Sequence, residues 1–379
     1  MLYRPYGTQG YEVSVFGMGC MRLPKKPDAD GNMVVDREEG IRMIRYAVEH
    51  GVNYFDSAHV YLDQECDAIL GEALAGGYRE KVKIATKIPP QMVNCEKDFF
   101  DILDVQLKKL QTDCIDVLLI HSLNKEKFAH IQKVGMVQMM EKAKAQGKIA
   151  AIGMSFHDDF ETFKQIIDFY PWAMCNIQMN ILDHDQQATL EGMRYAHEKG
   201  VAVCIMEPLR GGGLAVPPEP VQKLYDAFPT KRSGVEWAFR YMYNFPEVTT
   251  ILSGVSSMEQ LKDNLRIFEN PVAGCMDEAE QELIVKAREA YKSLIAVPCT
   301  GCRYCMPCPQ GVDIPGIFAA YNDGTMYGSF EAPKGKYARI RDVKHADASL
   351  CVECGACEAQ CPQAIPIIEE LKKAHEALS

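Results

Sequence analysis

Hydrophobic positions along this chain follow two alternating rhythms. Short apolar or β-branched runs predict eight strands: EVSVFGMG (12–19), VNYFDSA (52–58), VKIATK (82–87), CIDVLLIHS (114–122), IAAIGMSF (149–156), AMCNIQM (173–179), VAVCIME (201–207) and VTTILSG (248–254). Stretches with helical spacing lie between them. In GIRMIRYAVEHG, Ile41, Ile44, Ala47 and Val48 share one face and Gly51 supplies a stop. FDILDVQLKKL (100–110) and a stretch ending near Gly147 repeat the pattern. Strand–helix alternation implies a parallel sheet, and eight such units are the count of a closed (β/α)8 TIM barrel. An open doubly wound α/β sheet is the alternative.

The alternation stops around SLIAVPC (293–299). Beyond it, DIPGIFAAYNDG (313–324) and AIPIIEELKKAHEAL (364–378) carry helical spacing, so a small, mostly helical domain is expected over 293–379, after a barrel over 1–292. With 379 residues and 47% hydrophobic content, the chain can bury one large core and a small satellite. Its 41 basic and 52 acidic residues give a net charge of −11, which weighs against nucleic acid as a partner. No apolar run reaches the roughly 20 residues that cross a bilayer. MLYRPYGTQGYEVSVFGMG lacks a basic-then-apolar leader pattern. A cytoplasmic protein without a membrane partner is the expectation, and there thiols stay reduced.

That setting matters because the chain has fifteen cysteines. Cys299, Cys302, Cys305 and Cys308 precede Pro309; Cys351, Cys354, Cys357 and Cys361 precede Pro362. Short regular gaps ending in Cys-Pro are the ligand pattern of two [4Fe–4S] clusters, with zinc as the alternative for Cys-x2-Cys pairs. In two-cluster ferredoxins the fourth Cys of each run ligates the other cluster. On that model Cys361 joins Cys299, Cys302 and Cys305, and Cys308 joins Cys351, Cys354 and Cys357. The first run departs slightly, with two residues rather than three before its last Cys. Between the runs, Lys334, Lys336, Arg339, Arg341 and Lys344 read either as a solvated loop or as a dock for a soluble electron carrier of ferredoxin or flavodoxin type. The remaining seven, Cys20, Cys66, Cys95, Cys114, Cys175, Cys204 and Cys275, read as small buried hydrophobes.

In a β/α barrel the chemistry sits at the C-terminal strand ends. Asp56 follows the second predicted strand, with Tyr61 on the same loop; Lys87 ends the third and His121 ends the fourth. A strand-end Asp often caps a helix and a strand-end His is often structural, but four ionisable groups on three consecutive loops share one mouth. FDSAHVY, the Lys of IATK and the His of LLIHS resemble the Asp, Tyr, Lys and His tetrad of the aldo-keto reductases. GMSFH (153–157), MEPLRGGGLA (206–215) and ILSGVSSMEQLKDN (251–264) resemble that family's cofactor loops. With the tail included, the likeness is to the branch carrying a C-terminal ferredoxin-type domain.

The resemblance implies an NAD(P)H-dependent oxidoreductase acting on a small organic carbonyl or conjugated enone. Tyr61 would be the proton donor, Lys87 the cation that makes its proton mobile, Asp56 the partner of Lys87, and His121 the group that orients the substrate oxygen. Ser155 and Asn176 would grip the carboxamide, with Asn where Gln is usual. Met179 falls where an aromatic commonly stacks on the nicotinamide. Pro208, Leu209, Arg210, Gly211 and Gly213 would line the pyrophosphate loop, and Ser253, Gly254, Gln260 and Asn264 the last loop. Gly254 and Gln260 stand where NADPH-preferring members place a cation, so the reading leans to NADH; FMN in the barrel mouth is a further option. His157 either touches substrate or caps the next helix.

Nicotinamide moves two electrons and a cluster one. Three readings follow: a reductase whose clusters exchange electrons with a partner or flavin, the same reductase with structural clusters, or a nucleotide-binding electron-transfer or redox-sensing subunit.

Overall fold

The computed structural model describes residues 1–379. Eight parallel strands close into a barrel: β1 Phe16–Gly19, β2 Tyr54–Asp56, β3 Lys83–Ile88, β4 Ile115–Leu123, β5 Ile149–Phe156, β6 Met174–Gln178, β7 Ala202–Met206 and β8 Val248–Ser253. β8 pairs with β1, and β5 with β6, so every strand has two neighbours and no edge is exposed. The closed barrel excludes the open sheet. Its interior is filled, not hollow: Ala85, Val117, Leu119, Ala151 and Cys204 pack with the larger Tyr6 and Tyr54.

The first predicted strand divides. Glu12–Ser14 pairs antiparallel with Tyr3–Pro5, and only Phe16–Gly19 enters the barrel. The Ser14 N–H donates to Asn53 Oδ1 at 2.6 Å and the Ser14 hydroxyl to the Phe16 carbonyl at 2.6 Å, so side-chain bonds interrupt the run. The helix Arg37–Glu49 starts earlier than predicted because Asp36 accepts from the Glu39 N–H. Its buried face contains Gly40 and Met43 with Ile44, Ala47 and Val48, while Ile41 is only partly buried. Likewise Glu96–Leu110 extends the predicted helix, with Asp98 accepting from the Asn94 and Cys95 N–H groups.

Two compact units emerge from the packing: residues 1–211 with 236–277, and residues 212–235 with 278–379. The second therefore takes in the helices Glu219–Ala227 and Glu278–Ser293 as well as the cysteine-bearing tail. An ion pair at 2.7 Å between partly buried Arg232 and buried Glu280 ties these two segments together. The tail itself is helical, with Ile314–Tyr327, Glu331–Asp342 and Ile367–Leu378 around Ile317, Phe318, Tyr337 and Leu371. The basic run, read as a loop or a dock, is mostly helix. Lys336 pairs with Asp323 at 2.6 Å, Lys344 with Asp313 at 3.1 Å and Arg341 with Asp342 at 2.7 Å, while Lys334 donates to the Ser379 carbonyl at 2.8 Å. No helix is long and apolar enough to cross a membrane.

Cys20, Cys66, Cys175 and Cys204 are buried as expected, whereas Cys95 is exposed and Cys114 and Cys275 are partly so. Cys95 differs because it stands at the exposed start of the helix Glu96–Leu110.

Candidate functional site

Asp56 closes β2, Lys87 lies near the end of β3 and His121 near the end of β4, so three adjacent parallel strands deliver three polar groups to one end of the barrel. Tyr61 comes from the turn after β2, where Leu62, Asp63 and Gln64 all adopt positive φ, at 50°, 53° and 70°. Three consecutive non-glycine residues in the left-handed region are strained, a cost that active-site loops commonly carry.

The buried Lys87 ammonium donates to Asp56 Oδ1, to the Ser57 carbonyl at 2.7 Å and to the Tyr61 hydroxyl at 3.3 Å. It also lies 4.8 Å from the centre of the Tyr61 ring. Tyr61 and His121 meet edge to face, with ring centres 5.7 Å apart. All four tetrad residues thus converge. Burial alone would lower the Lys87 ammonium, but Asp56 and Tyr61 facing it hold it above its ordinary value. At Tyr61 burial outweighs the pull of Lys87 and raises the phenol, so its proton is held rather than shed. Burial, with Lys87, Lys127 and His157 nearby, pushes His121 down to about 3 and leaves a neutral imidazole at pH 7.

A buried polar network underlies the tetrad. Asp67 accepts from the Ser57 hydroxyl at 2.6 Å, the Thr86 hydroxyl at 3.0 Å and Gln106 Nε2 at 3.2 Å. Gln106 Nε2 also donates to the Lys87 carbonyl at 3.3 Å. These bonds fix the backbone on either side of Lys87 and Ser57, whose carbonyl accepts a hydrogen bond from the Lys87 ammonium. Sequence reasoning missed Asp67 and Gln106. Their one signal was a polar residue on the apolar face of a helix, at the second position of CDAILGEAL and within FDILDVQLKKL.

Ser155 and Asn176 lie on neighbouring strands at paired positions, and both are buried. Ser155 Oγ accepts from the Ser122 N–H at 2.6 Å, which leaves its O–H free to donate. Asn176 Nδ2 donates to Asp56 Oδ2 at 3.2 Å, while its buried Oδ1 has no partner. One hydroxyl donor and one orphaned amide acceptor are what a primary carboxamide, itself acceptor and donor, would satisfy. The residues present therefore fit a nicotinamide.

The other expected contacts divide. Met179 has no exposed surface, and its N–H donates to the Met206 carbonyl at 3.2 Å. Pro208 and Leu209 follow β7, and Arg210 pairs with Asp183 at 3.2 Å. Gly211 has φ +69°, which favours glycine, whereas Gly213 lies in the second unit, where a Cβ would come 2.7 Å from the Tyr327 ring. Asn264 Nδ2 donates to Ser253 Oγ at 2.7 Å, and both residues are buried. Gln260 caps its own helix, its Oε1 accepting from the Ser256 N–H at 2.8 Å. His157 caps nothing; Asp159 caps the helix Phe160–Phe169 by accepting from the Thr162 N–H at 2.8 Å. The His157 side chain is engaged instead by a hydrogen bond with Gln187.

The eight tail cysteines line two separate cavities. Cys299, Cys302, Cys305 and Cys361 line one with Ile314 and Phe318; Cys308, Cys351, Cys354 and Cys357 line another with Ile314 and Leu371. The last cysteine of each run crosses to the other cavity, despite the shorter gap in the first run. Four thiolate donors around an apolar-walled space suit an iron–sulfur cluster.

A closed parallel barrel with a Lys–Asp–Tyr–His group at its strand ends and a helical module with two four-cysteine cavities define a (β/α)8-barrel protein that carries an iron–sulfur type of module. Comparison with known proteins makes the class specific. The model of the Aldo/keto reductase family matches residues 16–274, and that of a 4Fe-4S dicluster domain matches residues 298–365. The chain belongs to the aldo/keto reductase family. Probable aldo-keto reductase 1 of Glycine max is 27% identical over 214 residues, 54% of this chain and 59% of that protein. The aldo-keto reductase AKR11C1 of Bacillus halodurans, in its holo form, superposes with a TM-score of 0.63 at 25% identity, covering 76% of this chain and 96% of the other. An aldo-keto reductase from Klebsiella pneumoniae in complex with NADPH shares the fold, with a TM-score of 0.61 at 18% identity over 75% of this chain and 94% of that one.

Proposed function

We propose that the barrel reduces the carbonyl, or conjugated enone, of a small organic substrate with NADH or NADPH. The observation that carries this reading is the buried Lys87 ammonium, held by Asp56 and set 3.3 Å from the Tyr61 hydroxyl. Ser155 and Asn176 would hold the carboxamide of the nucleotide, which when bound supplies hydride to the substrate carbon. Tyr61 then gives its proton to the substrate oxygen, and Lys87 stabilises the phenolate left behind. Neutral His121 orients that oxygen by a hydrogen bond without adding charge.

Residues 293–379 are assigned to two [4Fe–4S] clusters, which supply one-electron chemistry, and residues 1–292 to the reduction. The clusters exchange electrons with a soluble carrier or a bound flavin. The pairing of four thiols around each of two cavities supports this assignment.

Tyr61→Phe tests the reading. It should lower carbonyl turnover roughly 100-fold or more with little change in nucleotide affinity, measured as kcat and as Kd by titration. A near-normal kcat would remove Tyr61 as the donor.

A further inference from the structure

His157 stands one residue beyond β5, and the alternation of that strand carries it over the barrel opening. Ala151 packs in the barrel interior, and a Cβ on Gly153 would meet the interior Met174 at 2.8 Å; Ser155 and His157 continue the series. On β6 the same alternation runs through Met174, Asn176 and Gln178. Ser155 pairs with Asn176, so His157 and Gln178 lie one step above the two residues that fit a carboxamide. The charges that reach the His157 ring come from Lys127, after β4, and Glu207, after β7, and His121 in turn feels His157. The residue therefore lies at the mouth beside the tetrad, and it is exposed there.

Hydrogen bonds fix what the ring offers. Gln187 Nε2 donates to Gln178 Oε1 at 3.1 Å, and Gln178 Nε2 donates to Oδ2 of the buried Asp183 at 2.9 Å. Gln187 thus uses its amide N–H on Gln178 and turns its oxygen to His157; that oxygen is buried and has no other partner. An amide oxygen only accepts, so His157 supplies the N–H. The surrounding protein lowers the imidazole below its ordinary value, so the ring is neutral at pH 7 and its second nitrogen carries a lone pair, not a proton. No protein group bonds that nitrogen. Three residues of these loops, Ser122, Gln187 and Glu207, hold positive φ, at 57°, 53° and 56°, strain of the kind that functional sites carry.

The two histidines then present opposite chemistry. His121 gives an N–H to the oxygen that is reduced; His157, on the neighbouring strand, gives a lone pair. A carbonyl oxygen cannot donate to that lone pair, whereas a hydroxyl can. Adjacent strands lie about 4.8 Å apart, a span that suits a carbonyl and a hydroxyl one or two carbons away. A site built to bond a substrate hydroxyl discriminates against the analogue that lacks it.

We propose that His157 recognises the substrate by accepting a hydrogen bond from a hydroxyl one or two carbons from the carbonyl, so that the substrate is an α- or β-hydroxy carbonyl compound. This rests on the reductase reading above. The test measures kcat/KM of the cluster-loaded protein, with NADH and with NADPH, for 3-hydroxybutan-2-one and 4-hydroxybutan-2-one, each against butan-2-one. At least one hydroxy ketone should be preferred, and His157→Phe should reduce that preference roughly 10-fold. His157→Gln, which keeps an acceptor, should restore part of it, and Gln187→Leu, which releases the tautomer, should lower it part-way. Because a ratio is read, damage to the fold alone lowers both members of a pair alike. Wild-type protein that prefers neither hydroxy ketone, or a ratio that His157→Phe leaves unchanged, would overturn the assignment. Wild-type protein that reduces none of the three ketones with either nucleotide would instead remove the reductase reading itself, and the assignment with it.

Discussion

Burial sets the protonation states on which the proposed chemistry depends. His121 is pushed down to about 3, so its imidazole is neutral above that pH and takes up a proton only below it. Tyr61 is raised by burial, so it keeps its proton through neutrality and loses it only above the ordinary phenol value. Reduction needs Tyr61 protonated and His121 neutral. The account thus predicts kcat/KM for carbonyl reduction that is level from about pH 5.5 to about pH 9. A limb near pH 6.5 that vanishes in His121→Gln would contradict it. The four tetrad residues were legible in the sequence because each interrupts or follows an apolar run at a strand's C-terminal end. Asp67 and Gln106 were not, since each acts through partners that only the closed barrel brings close.

Elements were read well where hydrophobic period alone decides them, and less well where side-chain hydrogen bonds intervene. Seven strands fall within a residue or two of their predicted runs, because strands buried on both faces are near-continuous apolar stretches. The first did not, as Ser14 and Asn53 divert half of it. The basic run is a helix because Pro333, Tyr337 and Ile340 bury one face of it, while its cations pair with Asp323, Asp313 and Asp342 on the exposed side. Cysteine crossing was legible from spacing and the known ferredoxin pattern, and it makes a prediction at this scale. Cys361→Ala and Cys302→Ala should remove the same cluster, so the double variant should lose no more iron than either single one, about half of the total. Cys302→Ala with Cys308→Ala should lose nearly all of it. Iron analysis giving the reverse pattern would show that each run holds its own cluster.

At the scale of the molecule, 379 residues form two compact units with different electron stoichiometries: a barrel suited to hydride and a helical module suited to single electrons. Substrate choice was not legible, since barrel-mouth loops carry no general code and function resides in the particular site. Two routes could deliver electrons to a carbonyl in such a protein. Direct transfer moves hydrogen from the nucleotide to the substrate carbon; a route through the clusters moves electrons alone, with both hydrogens of the product drawn from solvent. Turnover of a ketone with nicotinamide nucleotide deuterated at the transferring C4 position separates them. The account predicts deuterium on the carbinol carbon of the product, one per turnover, when the reaction is run in ordinary water. Alcohol formed without the label, accompanied by an EPR signal of reduced cluster, would contradict it and make the barrel an electron donor to the tail.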